Sequence, residues 1–154
     1  MKNLFVIICL LVFSSVVFSA EYTEENTQSC DEKNEAVCDL NGQPITGKLI
    51  LDLGFSQREI NYTDGIENGV WKEYDQHRNL MQVGDYKKGK KVGIQKSYYN
   101  NGILAWEMNY KDGLVDGSFK EYYGDGKLKT EGVYILGNRD GCWKEYDRYG
   151  NVIE

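Results

Sequence analysis

Gly69-Val-Trp71-Lys-Glu-Tyr74 recurs as Gly93-Ile-Gln95-Lys-Ser-Tyr98, then as Gly117-Ser-Phe119-Lys-Glu-Tyr122, and then as Gly141-Cys-Trp143-Lys-Glu-Tyr146. Each copy starts 24 residues after the one before, and no gap is needed. A fixed, ungapped period marks a repeat array, in which one supersecondary unit is copied along the chain. Further columns keep the same period. The fourth position is Lys72, Lys96, Lys120 and Lys144, and the sixth is Tyr74, Tyr98, Tyr122 and Tyr146. The tenth is Arg78 and then Gly102, Gly126 and Gly150; the eighteenth is Tyr86, Tyr110 and Tyr134.

Outward from these copies, a degenerate one starts near Gly47. Its Glu59, Tyr62 and Asp64-Gly65 stand where a later copy has Glu107, Tyr110 and Asp112-Gly113. The step from Gly47 to Gly69 falls two short of the period, so this copy has lost two positions. The last copy stops halfway, at Glu154, which makes about four and a half units in all.

Each unit reads as two strands and two turns. Asn101-Gly102, Asp125-Gly126 and Asp112-Gly113 separate runs rich in aromatic and β-branched residues. Such dipeptides accept the positive φ of tight hairpins. In Leu104-Ala-Trp106-Glu-Met108-Asn-Tyr110 the bulky residues alternate with small or polar ones, the period of a strand. Trp71 and Tyr74 are three apart and fall on opposite faces, so both faces carry rings. That fits a narrow twisted sheet wrapped on itself better than a two-layer sandwich. The expected fold is all-β: an elongated antiparallel sheet of stacked 24-residue β-hairpins.

Residues 1–20 differ from the rest. Lys2 is their only charge, Leu4 to Val17 is almost wholly apolar, and Phe18-Ser19-Ala20 follows. This is the pattern of a secretory signal peptide, cleaved after Ser19 or Ala20. Residues 21–46 are acidic and lack the repeat. They read as a flexible lead over 21–29 and a cap over 30–46 that covers the first strand of the array over 47–154. Export leads to an oxidising compartment, a periplasm or the cell surface, and leaves no stable transmembrane anchor after cleavage. Cys30 and Cys38 are near in sequence and are natural disulfide partners, with free thiols or a metal as the alternatives. Cys142 is left over, either a buried thiol or an intermolecular link.

The formal charge is −6, and removing the leader takes away one of 18 basic residues and none of the 24 acidic ones. An acidic surface argues against nucleic acid as partner, because phosphates require cationic neutralisation. No residues point to catalysis, a cofactor or a metal. His77 stands alone in a turn. Cys30 and Cys38 are too far apart for a short zinc-ligand pair. Glu73, Glu121 and Glu145 recur with the repeat and form a ladder of similar sites rather than one tuned acid and base. Asn61-Tyr62-Thr63 matches a glycosylation sequon.

The lysine column is the most prominent surface pattern. Lys72, Lys96, Lys120 and Lys144 step by roughly 10 Å across alternate strands, on the face of Tyr74, Tyr98, Tyr122 and Tyr146. Such a face can hold an anionic envelope component or an acidic protein. Alternatively, lysine stems cover tyrosine rings and keep the sheet soluble.

The columns G-x-W-K-E-Y, N-G-x-L and Y-x-x-G with an acidic-Gly turn resemble the MORN-repeat variant of bacterial proteins, the group that includes the YwqK-family antitoxins. Leu40-Asn-Gly-Gln-Pro-Ile-Thr-Gly-Lys48 resembles the usual opening of that group. The resemblance covers residues 40–154 and implies stacked hairpins without catalytic residues. The chain departs from it at Arg78, at Gln95 and in the shortened first copy. The expected function is an exported, non-enzymatic binding or scaffolding module of the cell envelope. The alternative is an antitoxin or immunity-like protein.

Overall fold

A computed structural model describes residues 20–30 and 36–153. The expected signal peptide lies outside the described residues, apart from Ala20. In chain order the strands are β1 (Ala20–Thr23), β2 (Thr27–Ser29), β3 (Val37–Asp39), β4 (Gly47–Asp52), β5 (Ser56–Thr63), β6 (Ile66–Asp75), β7 (Leu80–Lys87), β8 (Lys90–Tyr98), β9 (Leu104–Lys111), β10 (Leu114–Tyr122), β11 (Leu128–Ile135) and β12 (Asn138–Glu145). One 3-10 turn, Glu24–Asn26, follows β1. From β4 to β12 every strand pairs antiparallel with the next, in a single meander. The molecule is the all-β array of successive hairpins that the period predicts. From β4 to β12 it forms one open sheet whose strand order follows the chain.

The lead, expected to be flexible, is structured. β1 pairs parallel with β4, from Ala20 opposite Gly47 to Thr23 opposite Ile50. It therefore covers the edge that β4 would otherwise expose. β2 and β3 form a separate two-stranded sheet, and Cys30 and Cys38 are joined by a disulfide with Cα atoms 5.2 Å apart. Val37 beside this bridge donates to the Gly65 carbonyl at 2.8 Å, which ties the cap to the first hairpin.

Two irregularities recur in every full unit and explain its length. The first is a bulge at the glycine that opens the hexapeptide motif. Gly69, Gly93, Gly117 and Gly141 all have positive φ, a region that side chains disfavour. In β10, Val115 faces Tyr110 and Phe119 faces Met108, so two extra residues are absorbed there. The second bulge follows the first turn. Tyr98 pairs with Leu104 and Ser97 with Trp106, leaving Ala105 extra; Met81 and Lys129 are extra in the same way. The shortened copy lacks this second bulge, since β4 and β5 pair without a register shift. Its turn is also tighter. Leu53 N–H donates to the Ser56 carbonyl, three residues on, whereas Asp75, Tyr99, Tyr123 and Asp147 each donate four residues on. One bulge residue and one turn residue account for the two that are missing.

Successive units are laced along both ends of the strands. At one end the turn glycines Gly89, Gly113 and Gly137 donate to the carbonyls of Glu67, Lys91 and Val115 at 2.8, 3.0 and 2.8 Å. At the other end Tyr99 and Tyr123 hydroxyls donate to the carbonyls of Tyr122 and Tyr146, both at 2.7 Å. The fully buried apolar cluster is small and lies at the start of the array: Ile45, Leu49, Ile60, Tyr62 and Trp71. Beyond it the sheet is a single layer in which Gln95, Ala105 and Thr130 are buried.

Candidate functional site

The strand register puts the lysine column into a row of alternating charge. Lys72 faces Glu59 on β5, and Lys96 faces Glu107 on β9. Lys120 stands between Glu107 and Glu131, and Lys144 faces Glu131. Val83 interrupts the row between Lys72 and Lys96. The Lys96 ammonium lies 3.7 Å from Glu107. Exposed pairs of this kind contribute roughly 0–1 kcal/mol each. Their larger effect is on the field, because each lysine of the column faces a glutamate on a neighbouring strand and the row presents no continuous positive track.

The tyrosine column joins the same row in the later copies. Tyr122 and Tyr146 donate to the carboxylates of Glu107 and Glu131 at 3.2 and 2.7 Å. Both phenols are pushed up, Tyr122 first by burial and Tyr146 first by its bond to Glu131. Tyr74 carries the Arg78 guanidinium 5.7 Å from its ring centre. The glutamate column that completes the row, Glu59, Glu107 and Glu131, follows the repeat in the sequence. Only strand register shows that it interleaves with the lysines.

The opposite face carries the rings. Trp71 and Tyr86 lie 6.1 Å apart, and Phe119, Tyr134 and Trp143 form a cluster with centroids 5.1–5.9 Å apart. Gln95 takes the place of an aromatic residue between them and is fully buried. Its Oε1 accepts from Trp71 Nε1 at 2.8 Å, and its Nε2 donates to the Val92 carbonyl at 2.9 Å. The departure at Gln95 is thus a satisfied polar residue inside the sheet's ring-bearing face. Lys91 stands 4.9 Å from Trp71 and 5.6 Å from Tyr110, and burial pushes its ammonium down. Burial pushes the Glu67 carboxyl up and the Tyr62 phenol up to about 12. Glu67 and Tyr62 line a cleft of about 540 Å³ with Val37, Ile66 and Lys88.

The remaining sequence candidates stay apart from one another. His77 sits in an exposed turn, its N–H bonded to Asp75 and its ring beside Gln76. Glu73 binds Arg58 at 2.7 Å, and Glu121 binds Lys129 at 2.7 Å, so each carboxylate has its own cation. Cys142 is a free, exposed thiol on β12, not a buried one. The Asn61 amide of the sequon donates to the Val70 carbonyl. Among the described residues no group of three or more His, Cys, Asp and Glu is placed to hold a metal.

No curated protein matches the chain. Residues 91–112 and 115–135 match the family model of the MORN repeat variant. These fall on the copies that begin near Gly93 and Gly117, and the copies at Gly69 and Gly141 keep the same period and first-turn bond, so the array is a set of β-hairpin repeats similar to the MORN repeat variant.

Proposed function

We propose that the chain is an exported, non-enzymatic module of the cell envelope that binds or scaffolds another protein. One observation carries this reading: like groups recur in register along one open sheet, from Lys72 through Lys96 and Lys120 to Lys144. An extended partner can use such a row through several weak contacts along a line. Export is supported by the apolar run from Leu4 to Val17 and by the Cys30–Cys38 pair.

The test has two arms. The mass of the protein recovered from the native envelope is expected to match a chain that begins at Ala20 or Glu21; a chain still starting at Met1 removes the export reading. Photo-crosslinkers placed singly at Lys72, Lys96 and Lys120 on the disulfide-intact chain are expected to trap the same partner from that fraction. Trapping at one position alone, or none, opposes an extended binding surface. A toxin-like partner would select the immunity-like alternative.

A further inference from the structure

Of the four gaps between successive first turns, the last two are bridged by tyrosine and the first two are not. Tyr99 crosses from the turn at 99–103 to the carbonyl of Tyr122, and Tyr123 crosses from 123–127 to the carbonyl of Tyr146. A second bridge runs beside each. Asn101 Nδ2 reaches the Gly124 carbonyl at 3.0 Å, and Lys127 Nζ reaches the Arg148 carbonyl at 2.8 Å. In the turn at 75–79 the tyrosine position is Asp75. Its carboxylate folds back on its own turn and accepts from His77 N, Asn79 N and Asn79 Nδ2.

The result is a groove of about 570 Å³ between the turns at 75–79 and 99–103, lined by Arg78, Leu80, Tyr98 and Asn100 among others. The preceding gap, beside Asp52 and Gly54, also lacks a tyrosine but opens to only about 190 Å³. Among the described residues no side chain caps the carbonyls of Tyr98 or Asn100, the counterparts of those that receive the bridges. The Asn100 amide has no partner there, and the Arg78 guanidinium has no ion pair, only the Tyr74 ring.

We propose that this groove binds a tyrosine side chain of a partner polypeptide. Its hydroxyl donates to the Tyr98 carbonyl, and its ring crosses the turn as the rings of Tyr99 and Tyr123 cross theirs. The repeat itself supplies the template for the occupant: same backbone, same acceptor, a phenol in the two filled gaps. Arg78 on the rim favours an aromatic ring and a neighbouring acidic residue. Asn100 supplies a further donor and acceptor beside it. The proposal rests on the binding-module reading and names one site and one residue type within it.

The probe is N-acetyl-tyrosinamide at millimolar concentration, added to the isotopically labelled, disulfide-intact chain and followed by NMR. Shifts are expected at the amides of residues 78 and 98–102. N-acetyl-phenylalaninamide is expected to bind about fivefold more weakly, the loss of one neutral hydrogen bond. Asp75→Tyr fills the groove from within and is expected to abolish the shifts. A second variant adds Gln76→Asn, His77→Asn, Arg78→Gly and Asn79→Ile, giving this turn the sequence of 99–103, which already folds on the same backbone. No shifts at these amides, equal binding of the phenylalanine probe, or binding that survives in either folded variant overturns the proposal. Partner trapping along the lysine row is independent of all three outcomes.

Discussion

Gly84 and Gly132 hold the same place in two copies, yet each makes room for a different side chain. A Cβ on Gly84 would strike the carboxamide of Gln95, and one on Gly132 would strike the indole of Trp143. Overfilling a packed site costs roughly 1–3 kcal/mol. Gln95 is 1% exposed and bonded at both ends of its amide, so it cannot move without breaking those bonds. Trp143 lies on the edge strand β12, most of whose residues are exposed, and its indole Nε1 makes no hydrogen bond that a shift would break. Gly84→Ala is therefore expected to lower the urea midpoint clearly more than Gly132→Ala; equal losses would contradict the difference in packing. Leu136 poses the opposite case. It is a non-glycine residue at positive φ, 64% exposed, directly before Gly137 in a tight turn. Left-handed backbone costs a residue with a Cβ about 1–2 kcal/mol, less for asparagine, and Asn-Gly suits a two-residue hairpin. Leu136→Asn is expected to stabilise the fold by about 1 kcal/mol in the same melts, and any loss would show that Leu136 packs on something. At this scale the sequence was only half legible. Gln95 stands out as a break in an aromatic column, but nothing local says that Trp71, 24 residues earlier, is its partner.

Among the elements, strands and turns were legible because alternation and Asn-Gly or Asp-Gly signals act over a few residues. The bulges were not, because an extra residue is defined only by what lies on the neighbouring strand. The same holds for the charge row: a lysine column is visible in one dimension, while its glutamate neighbours come from register. The acidic composition of 21–29 suggests a flexible lead, yet Tyr22 and its neighbours form β1, since the open side of β4 supplies a ladder that this composition does not announce. The turns at 75–79 and 147–151 share one design, in which an aspartate accepts from its own turn. Bonds from Asn79 and Asn151 hold the Asp75 and Asp147 carboxyls below their ordinary value of 3.8. A depressed folded pKa stabilises the fold above the ordinary value, and that contribution is lost as pH falls through the folded pKa. Melting temperature is therefore expected to drop as pH falls below about 4, and Asp75→Asn with Asp147→Asn is expected to flatten that limb. An unchanged acid limb in the double variant would assign the loss to other carboxylates.

For the whole molecule, the sequence told the architecture and not the partner. A period fixes which residues are equivalent, but a binding site arises where equivalence fails, as at Asp75, and its meaning depends on what the neighbouring copies do. The same inequality shapes stability. An array in which each unit touches only its neighbours behaves as a chain of coupled units, and local opening follows local packing. Packing here is uneven. The buried cluster of Ile45, Leu49, Ile60, Tyr62 and Trp71 joins β4, β5 and β6 beneath the disulfide-closed cap, whereas β12 has a strand neighbour on one side and only Trp143 half-buried among exposed residues. Amide exchange is therefore expected to be slowest in β5 and β6, to quicken through β9 and β10, and to be fastest in β12. Reducing Cys30–Cys38 removes a constraint that contributes roughly 2–3 kcal/mol or less for so short a loop. Coupled units confine that loss to the end that carries it. Exchange at Val37, Ile45 and in β4 is expected to accelerate on reduction, while β10 to β12 keep their rates. If reduction instead quickens every strand by the same factor, the whole sheet opens as one unit, and the nearest-neighbour account of it fails.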